Sequence, residues 1–182
     1  MQSRDRFILC GQATPPRHDV GRADMPRRPQ HWFPGLISGQ GVVRPSGAAC
    51  TLNYAEVYPF GLMAQISVRF RGPLSLDTQR ELSKQSESYL WNEPDLGPQL
   101  TLKREDSTAS SAEVVMHEGH HSFWTITFWF NQEVTGSGLS MTFRWREQGI
   151  ECDFPIPGED IGKALEEARE LWSPAPEGYF SP

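Results

Sequence analysis

The sequence predicts a mainly β fold: an antiparallel β-sandwich or partly open barrel, closed by one C-terminal amphipathic helix, with a short helix near residues 77–90. Three observations carry this expectation. Several runs alternate apolar and polar residues with period two, no strand–helix–strand alternation interrupts them, and the last apolar stripe repeats at i, i+3, i+4 and i+7.

Along the chain, the first strand-like texture follows Trp32, where LISGQGVVRPSG gives a short apolar run punctuated by Gly and Pro. CTLNYAEVYPFGLMAQISVRFRG then reads as two strands flanking Pro59-Phe60-Gly61, and in the second Leu62, Ala64, Ile66, Val68 and Phe70 share one face. LSLDTQRELSKQSESYLW supplies the short helix, with Leu76, Leu82, Tyr89 and Leu90 as its large apolar members. Short strands are expected at Leu100–Lys103 and Ala112–Met116. FWTITFWF places Trp124, Ile126, Phe128 and Phe130 on one face and Thr125, Thr127 and Trp129 on the other. After the loop NQEVTGSG, Leu139, Met141, Phe143 and Trp145 alternate with polar residues, and that loop length points to an antiparallel hairpin between the two strands. A bend at Gln148-Gly149 precedes Ile150, Cys152 and Phe154, and Pro155 and Pro157 are expected to end the sheet. Ile161, Ala164, Leu165, Ala168, Leu171 and Trp172 form the stripe of the terminal helix, which Ser173-Pro174 should end.

Length and composition suit one domain over residues 31–173, preceded by a disordered basic arm over 1–30 and followed by a tail over 174–182. Three cysteines without a C-x-x-C pair argue against a disulfide framework and fit a cytoplasmic setting. No apolar run is long enough to span a bilayer, so no membrane partner is expected. The formal charge of −6 hides an asymmetry: residues 1–45 hold seven arginines against three aspartates, and residues 147–182 hold nine acids against two bases. That acidity argues against nucleic acid as a partner except through the basic arm.

One string has the form of a catalytic motif. His117-Glu118-Gly119-His120-His121 satisfies H-E-x-x-H, in which His117 and His121 would hold zinc and Glu118 would activate water for a metal-dependent hydrolase. The motif works on a helix, where i and i+4 share a face. Here it lies between two strand-like runs with Gly119 at its centre, so the residues favour an exposed hairpin loop, and no third ligand has a persuasive spacing. Cys152 alternates with Ile150 and Phe154 and reads as core rather than nucleophile. Glu147 with Glu151, and Glu166 with Glu167, read as surface carboxylates, and Gly136-Ser137-Gly138 lacks the lysine of a phosphate-binding loop.

Among six tryptophans, Trp124 and Trp145 fall on apolar faces, whereas Trp129 shares the threonine face. It is either covered by the N-terminal segment or terminal helix, which the residues favour, or exposed as the anchor of a saccharide- or peptide-binding sandwich. Taken together, VVRPSGAACTLNYAEVYPFGLMAQISVRFRG, FWTITFWF, SMTFRWREQGIEC and ALEEARELW resemble a group of uncharacterised bacterial β-rich proteins whose final helix ends in Leu-Trp, over roughly residues 36–172. That resemblance implies a soluble, cytoplasmic β-rich domain with no activity to carry over. The expected function is therefore a non-enzymatic sandwich that binds a protein partner, as an accessory or immunity-type component without a cofactor, in an oligomeric state the sequence leaves open.

Overall fold

A computed structural model describes residues 32–39, 41–43, 47–86, 97–104, 109–120 and 122–171. The basic arm, the 174–182 tail, Tyr89, Leu90, His121 and Trp172 lie outside the described residues. In chain order the strands are β1 (Trp32–Phe33), β2 (Gly35–Ser38), β3 (Gly41–Val43), β4 (Ala48–Tyr58) and β5 (Gly61–Phe70), followed by helix α1 (Leu76–Ser86). After it come β6 (Pro98–Arg104), β7 (Ser110–Ser111), β8 (Glu113–His120), β9 (Phe123–Phe130), β10 (Leu139–Trp145) and β11 (Ile150–Ile156), then α2 (Gly158–Glu167) and β12 (Arg169–Glu170).

These strands form a sandwich of two antiparallel sheets. The larger runs β2-β4-β5-β9-β8, with β3 also paired to β4, and the smaller runs β11-β10-β6-β7. Alternation decides which residues meet between them. The inward faces of β5, β9, β10 and β11 are the apolar sets read from the sequence, and all of them join one continuous core. Phe128 meets Phe143 with ring centroids 6.1 Å apart, and Trp124 meets Trp145 at 6.2 Å, both edge to face. Truncating one of these rings to alanine would cost about 3–5 kcal/mol, a large share of a stability of about 5–15 kcal/mol. The ion pairs Arg80–Asp77, Lys84–Glu81 and Arg144–Glu151 are exposed and contribute little beside that.

Those ring contacts correct the expected hairpin. β9 and β10 do not pair: β9 lies between β5 and β8, and β10 between β6 and β11. Both flanks of β9 are already occupied, so residues 131–138 arch from one sheet to the other and set the two aromatic faces against each other. The arch is anchored by buried Val134, whose N–H donates to the Pro59 carbonyl at 3.1 Å.

Both helices close the sandwich. In α1, Ser75 accepts the Thr78 N–H at 3.1 Å as an N-cap, and Leu82 is fully buried, but Leu76 is exposed. Gln85 at its other end accepts from the Trp145 indole N–H at 3.0 Å and from Gln148 at 3.0 Å, which ties the helix to the end of β10. Helix α2 buries Ile161 and Ala164 over β2, where a Cβ at Gly35 would collide with the Ala164 carbonyl. It stops at Glu167, short of the expected end near Trp172. Ala168 is extended, and Arg169–Glu170 pair with Trp32–Phe33, so the chain exchanges its last helical turn for a ribbon and leaves Leu171 exposed. Pro155 does not end the sheet, because β11 is an edge strand where a missing N–H breaks no ladder. No helix among the described residues is long and apolar enough to cross a membrane.

Two glycines test how tightly α2 seats on the sheet. Gly35→Ala should lower stability by about 1–3 kcal/mol through overpacking against backbone. Gly162→Ala, with open space around its would-be Cβ inside the helix, should raise it by about 0.5–1 kcal/mol. Urea unfolding measures both, and a neutral Gly35→Ala would mean that α2 does not rest on β2.

Candidate functional site

Strand β4 determines what the outward side of the larger sheet presents. Ala48, Cys50 and Leu52 point into the core, but a bulge between Leu52 and Tyr54 shifts the phase, so that Ala55 and Val57 point inward next. Tyr54, Glu56 and Tyr58 therefore stand on the outer face. The register sets them in rows: Leu36, Glu56, Met63, Trp129 and Glu113 across one line, and Tyr54, Gln65, Thr127 and Met116 across the next. A third row holds Thr51, Ser67, Thr125 and Glu118.

The first row carries an aromatic corner. Tyr58, Met63 and Trp129 form a second, small apolar cluster, packed by Trp32 and Val115. Phe60, in the two-residue turn after β4, lies 5.6 Å from Trp32, 5.7 Å from Tyr58 and 6.5 Å from Trp129 between ring centroids. Within this corner Glu56 is only 4% exposed, and its Oε2 accepts the Tyr58 hydroxyl at 2.8 Å. The polar rows are bonded among themselves: Asn53 donates to Gln65 at 2.9 Å and to Ser67 at 2.7 Å, and the Ser67 and Thr125 hydroxyls lie 3.4 Å apart. Among the described residues the buried Thr127 hydroxyl has no hydrogen-bond partner. At the far end the Arg69 guanidinium sits 4.8 Å from the centre of the Phe123 ring.

Trp129 is on the outer face as the alternation requires, but it is 7% exposed and not an open anchor. It is covered by the N-terminal side of the chain, through Trp32, and lies over Gly61, where a Cβ would collide with the indole. The exposed-anchor reading loses its premise.

The first four residues of the HEGHH string are not a loop. Residues 117–120 belong to β8 and pair with Ile126, Thr125, Trp124 and Phe123, because the strand continues through Gly119. After a bulge between Val114 and Met116, His117 takes the inner side of the sheet edge and is half-buried, while Glu118 is exposed on the outer side. The Trp124 ring fills the space a Cβ on Gly119 would need. In a strand, positions four apart stand about 13 Å apart, against about 6 Å on a helix. His117 and Glu118 thus face opposite ways, and the geometry that lets the motif hold zinc is missing from the described part of it.

The remaining candidates stay dispersed. Cys152 is fully buried in the core. Glu151 stands on the outer face of the smaller sheet and accepts from Arg144 at 3.1 and 3.2 Å, and this hydrogen bond, then the carboxylate's charge, holds the guanidinium above its ordinary pKa. Glu147 lies exposed in the turn before β11, and Glu166 and Glu167 lie exposed on α2. Sequence reasoning missed Glu56 and Tyr58. The signal was present as a break in alternation at Asn53, where apolar positions 48, 50 and 52 give way to 55 and 57.

Thr127→Val should raise stability by about 1–2 kcal/mol, because it removes a buried hydroxyl that has no partner, and a loss on urea unfolding would show that the hydroxyl is bonded. Equimolar zinc should leave the melting temperature unchanged, and a rise that His117→Ala abolished would restore the hydrolase reading. No family model matches the chain, and neither a curated protein nor a solved structure matches it.

Proposed function

We propose that this chain is a non-enzymatic β-sandwich protein that binds a protein partner, as an accessory or immunity-type component, through the outer face of its six-stranded sheet. The contrast between the two outer faces carries this reading. The smaller sheet presents Thr101, Lys103, Thr142, Arg144, Glu151 and Asp153, bonded across strands and in water, as at Thr142 to Asp153 (2.8 Å). The larger sheet carries Tyr58, Met63, Trp129 and polar groups including Glu56, all largely covered, at its centre, with exposed Leu36 and Met116 beside them and Glu113, Glu118 and Arg69 at its margins.

That arrangement resembles a protein interface, in which aromatics and Met gather centrally and charges move to the rim. Phe33, Leu36, Phe60, Met116 and Phe123 are exposed on or beside it. Cys50 and Cys152, buried as thiols in the core, support a reducing, cytoplasmic setting.

The test is capture of partners from the native cell by the tagged chain, followed by mass spectrometry, with three variants side by side. Leu36→Asp and Met116→Glu, both at exposed outer-face positions, should each reduce recovery of the same protein about tenfold, as expected when a charge enters an apolar contact. Lys103→Glu on the other sheet should not. Equal recovery by all three, or no reproducible partner, would overturn the reading.

A further inference from the structure

The C-terminal end of α2 is held in one of two arrangements that its own residues allow. Ile161, Ala164, Leu165, Ala168 and Leu171 keep the spacing of a helical stripe, and the Ala168 N–H still donates to the Ala164 carbonyl at 3.0 Å. Yet the backbone is extended at Ala168, Arg169 and Glu170 pair with Phe33 and Trp32, and Leu171 is left 49% exposed. That ribbon is a sheet of its own, two residue pairs separate from both larger sheets, with Phe33, Arg169 and Glu170 exposed on it. Two-stranded structure of this size is marginal in water. The helix end is little better, because its last turn holds Glu166 and Glu167 without a base, against the sense of the macrodipole. One more turn would add Arg169 to that end and bring Leu171 onto the stripe of Ala164 and Ala168.

At its other strand the ribbon holds the outer face of the larger sheet. Trp32 packs on the Tyr58–Met63–Trp129 cluster and meets Phe60 edge to face at 5.6 Å. Three residues on, Gly35 is pinned beneath α2 with no room for a Cβ, so movement of the ribbon stops there. The end of the helix and the aromatic corner are thus tied through the pairing of Trp32 with Glu170.

We propose that the β1–β12 ribbon is a latch on the partner face: when residues 169–171 leave it to extend α2 by one turn, Trp32 is released and the Tyr58–Met63–Trp129 corner opens. This rests on the outer face being the partner face, and its test needs no partner. Met63, 8% exposed, is replaced by Cys in the full-length chain carrying Cys10→Ser, and alkylation of the new thiol by iodoacetamide is timed. Cys50 and Cys152, fully buried in the core, are the slow internal reference. Trp32→Ala should speed the reaction at least tenfold. Arg169→Thr with Glu170→Thr, which favours strand over helix at two exposed positions, should slow it about tenfold, and alanine at both should speed it about threefold. Leu171→Ser should slow it about fivefold, because that side chain is exposed in the ribbon and joins the apolar stripe only in the added turn. Without the Met63 substitution, the Cα chemical shifts of residues 169–171 should move toward helical values in the alanine pair and toward strand values in the threonine pair.

A rate unchanged by Trp32→Ala, by the threonine pair or by Leu171→Ser would each overturn the latch, as would Cα shifts that stay fixed across the variants. In the capture experiment the threonine pair should recover several-fold less partner. Unchanged capture, with alkylation and shifts responding as expected, would instead count against the partner face alone.

Discussion

One extra residue in β4 is the constraint on which both faces of the larger sheet depend. In regular alternation, a strand that buries Ala48, Cys50 and Leu52 goes on to bury Tyr54, Glu56 and Tyr58. That would drive a carboxylate and two phenols into a core built from Leu, Ile, Val and aromatic rings. The bulge at Asn53 reverses the phase, so Ala55 and Val57 fill the core beside Ala64 and Leu62. It also leaves the Asn53 amide on the outer side, bonded to Gln65 and Ser67. A single local irregularity thus keeps the core apolar and assembles the polar and aromatic rows outside.

The second constraint is aromatic packing between the sheets. Trp124 and Phe128 of the larger sheet interlock edge to face with Trp145 and Phe143 of the smaller one, across a sandwich about 10 Å thick. A loop long enough for a hairpin here serves as an arch, because β9 pairs with β5 and β8 and β10 pairs with β6 and β11. Aromatic packing also explains the small residues facing these rings: Gly119 makes room for Trp124, and Gly61 does the same for Trp129 on the outer side. Bulky indoles and missing side chains are complementary halves of the same packing.

The faces of β5, β9, β10 and β11 were legible in the sequence because period-two alternation is a local property, and each of these strands is regular. Pairing was not legible, since β9 and β10 carry the same pattern whether they lie side by side or face to face. The end of α2 was missed for a related reason: Leu171 continues the helical stripe, yet a two-residue ribbon with Trp32–Phe33 competes for the chain, and only tertiary structure reveals that competitor. At the candidate site, Trp129 was placed on the correct face with its cover anticipated. Glu56 was not found, because its direction depends on a bulge that amino-acid type alone does not announce.

The histidine string shows the same dependence of chemistry on period. Met116, His117, Glu118 and Gly119 alternate between the sides of β8, so neighbours in sequence are neighbours in space only through the backbone. A motif is a statement about side-chain directions, and those directions belong to the helix for which it was defined. In a strand the same letters build an edge: Glu118 exposed toward solvent, His117 half-buried, and Gly119 yielding its space to Trp124. A charged, bulged edge also resists pairing with further strands. What reads as a metal site in one period is therefore, in the other, the protected margin of the sheet whose centre carries the aromatic corner.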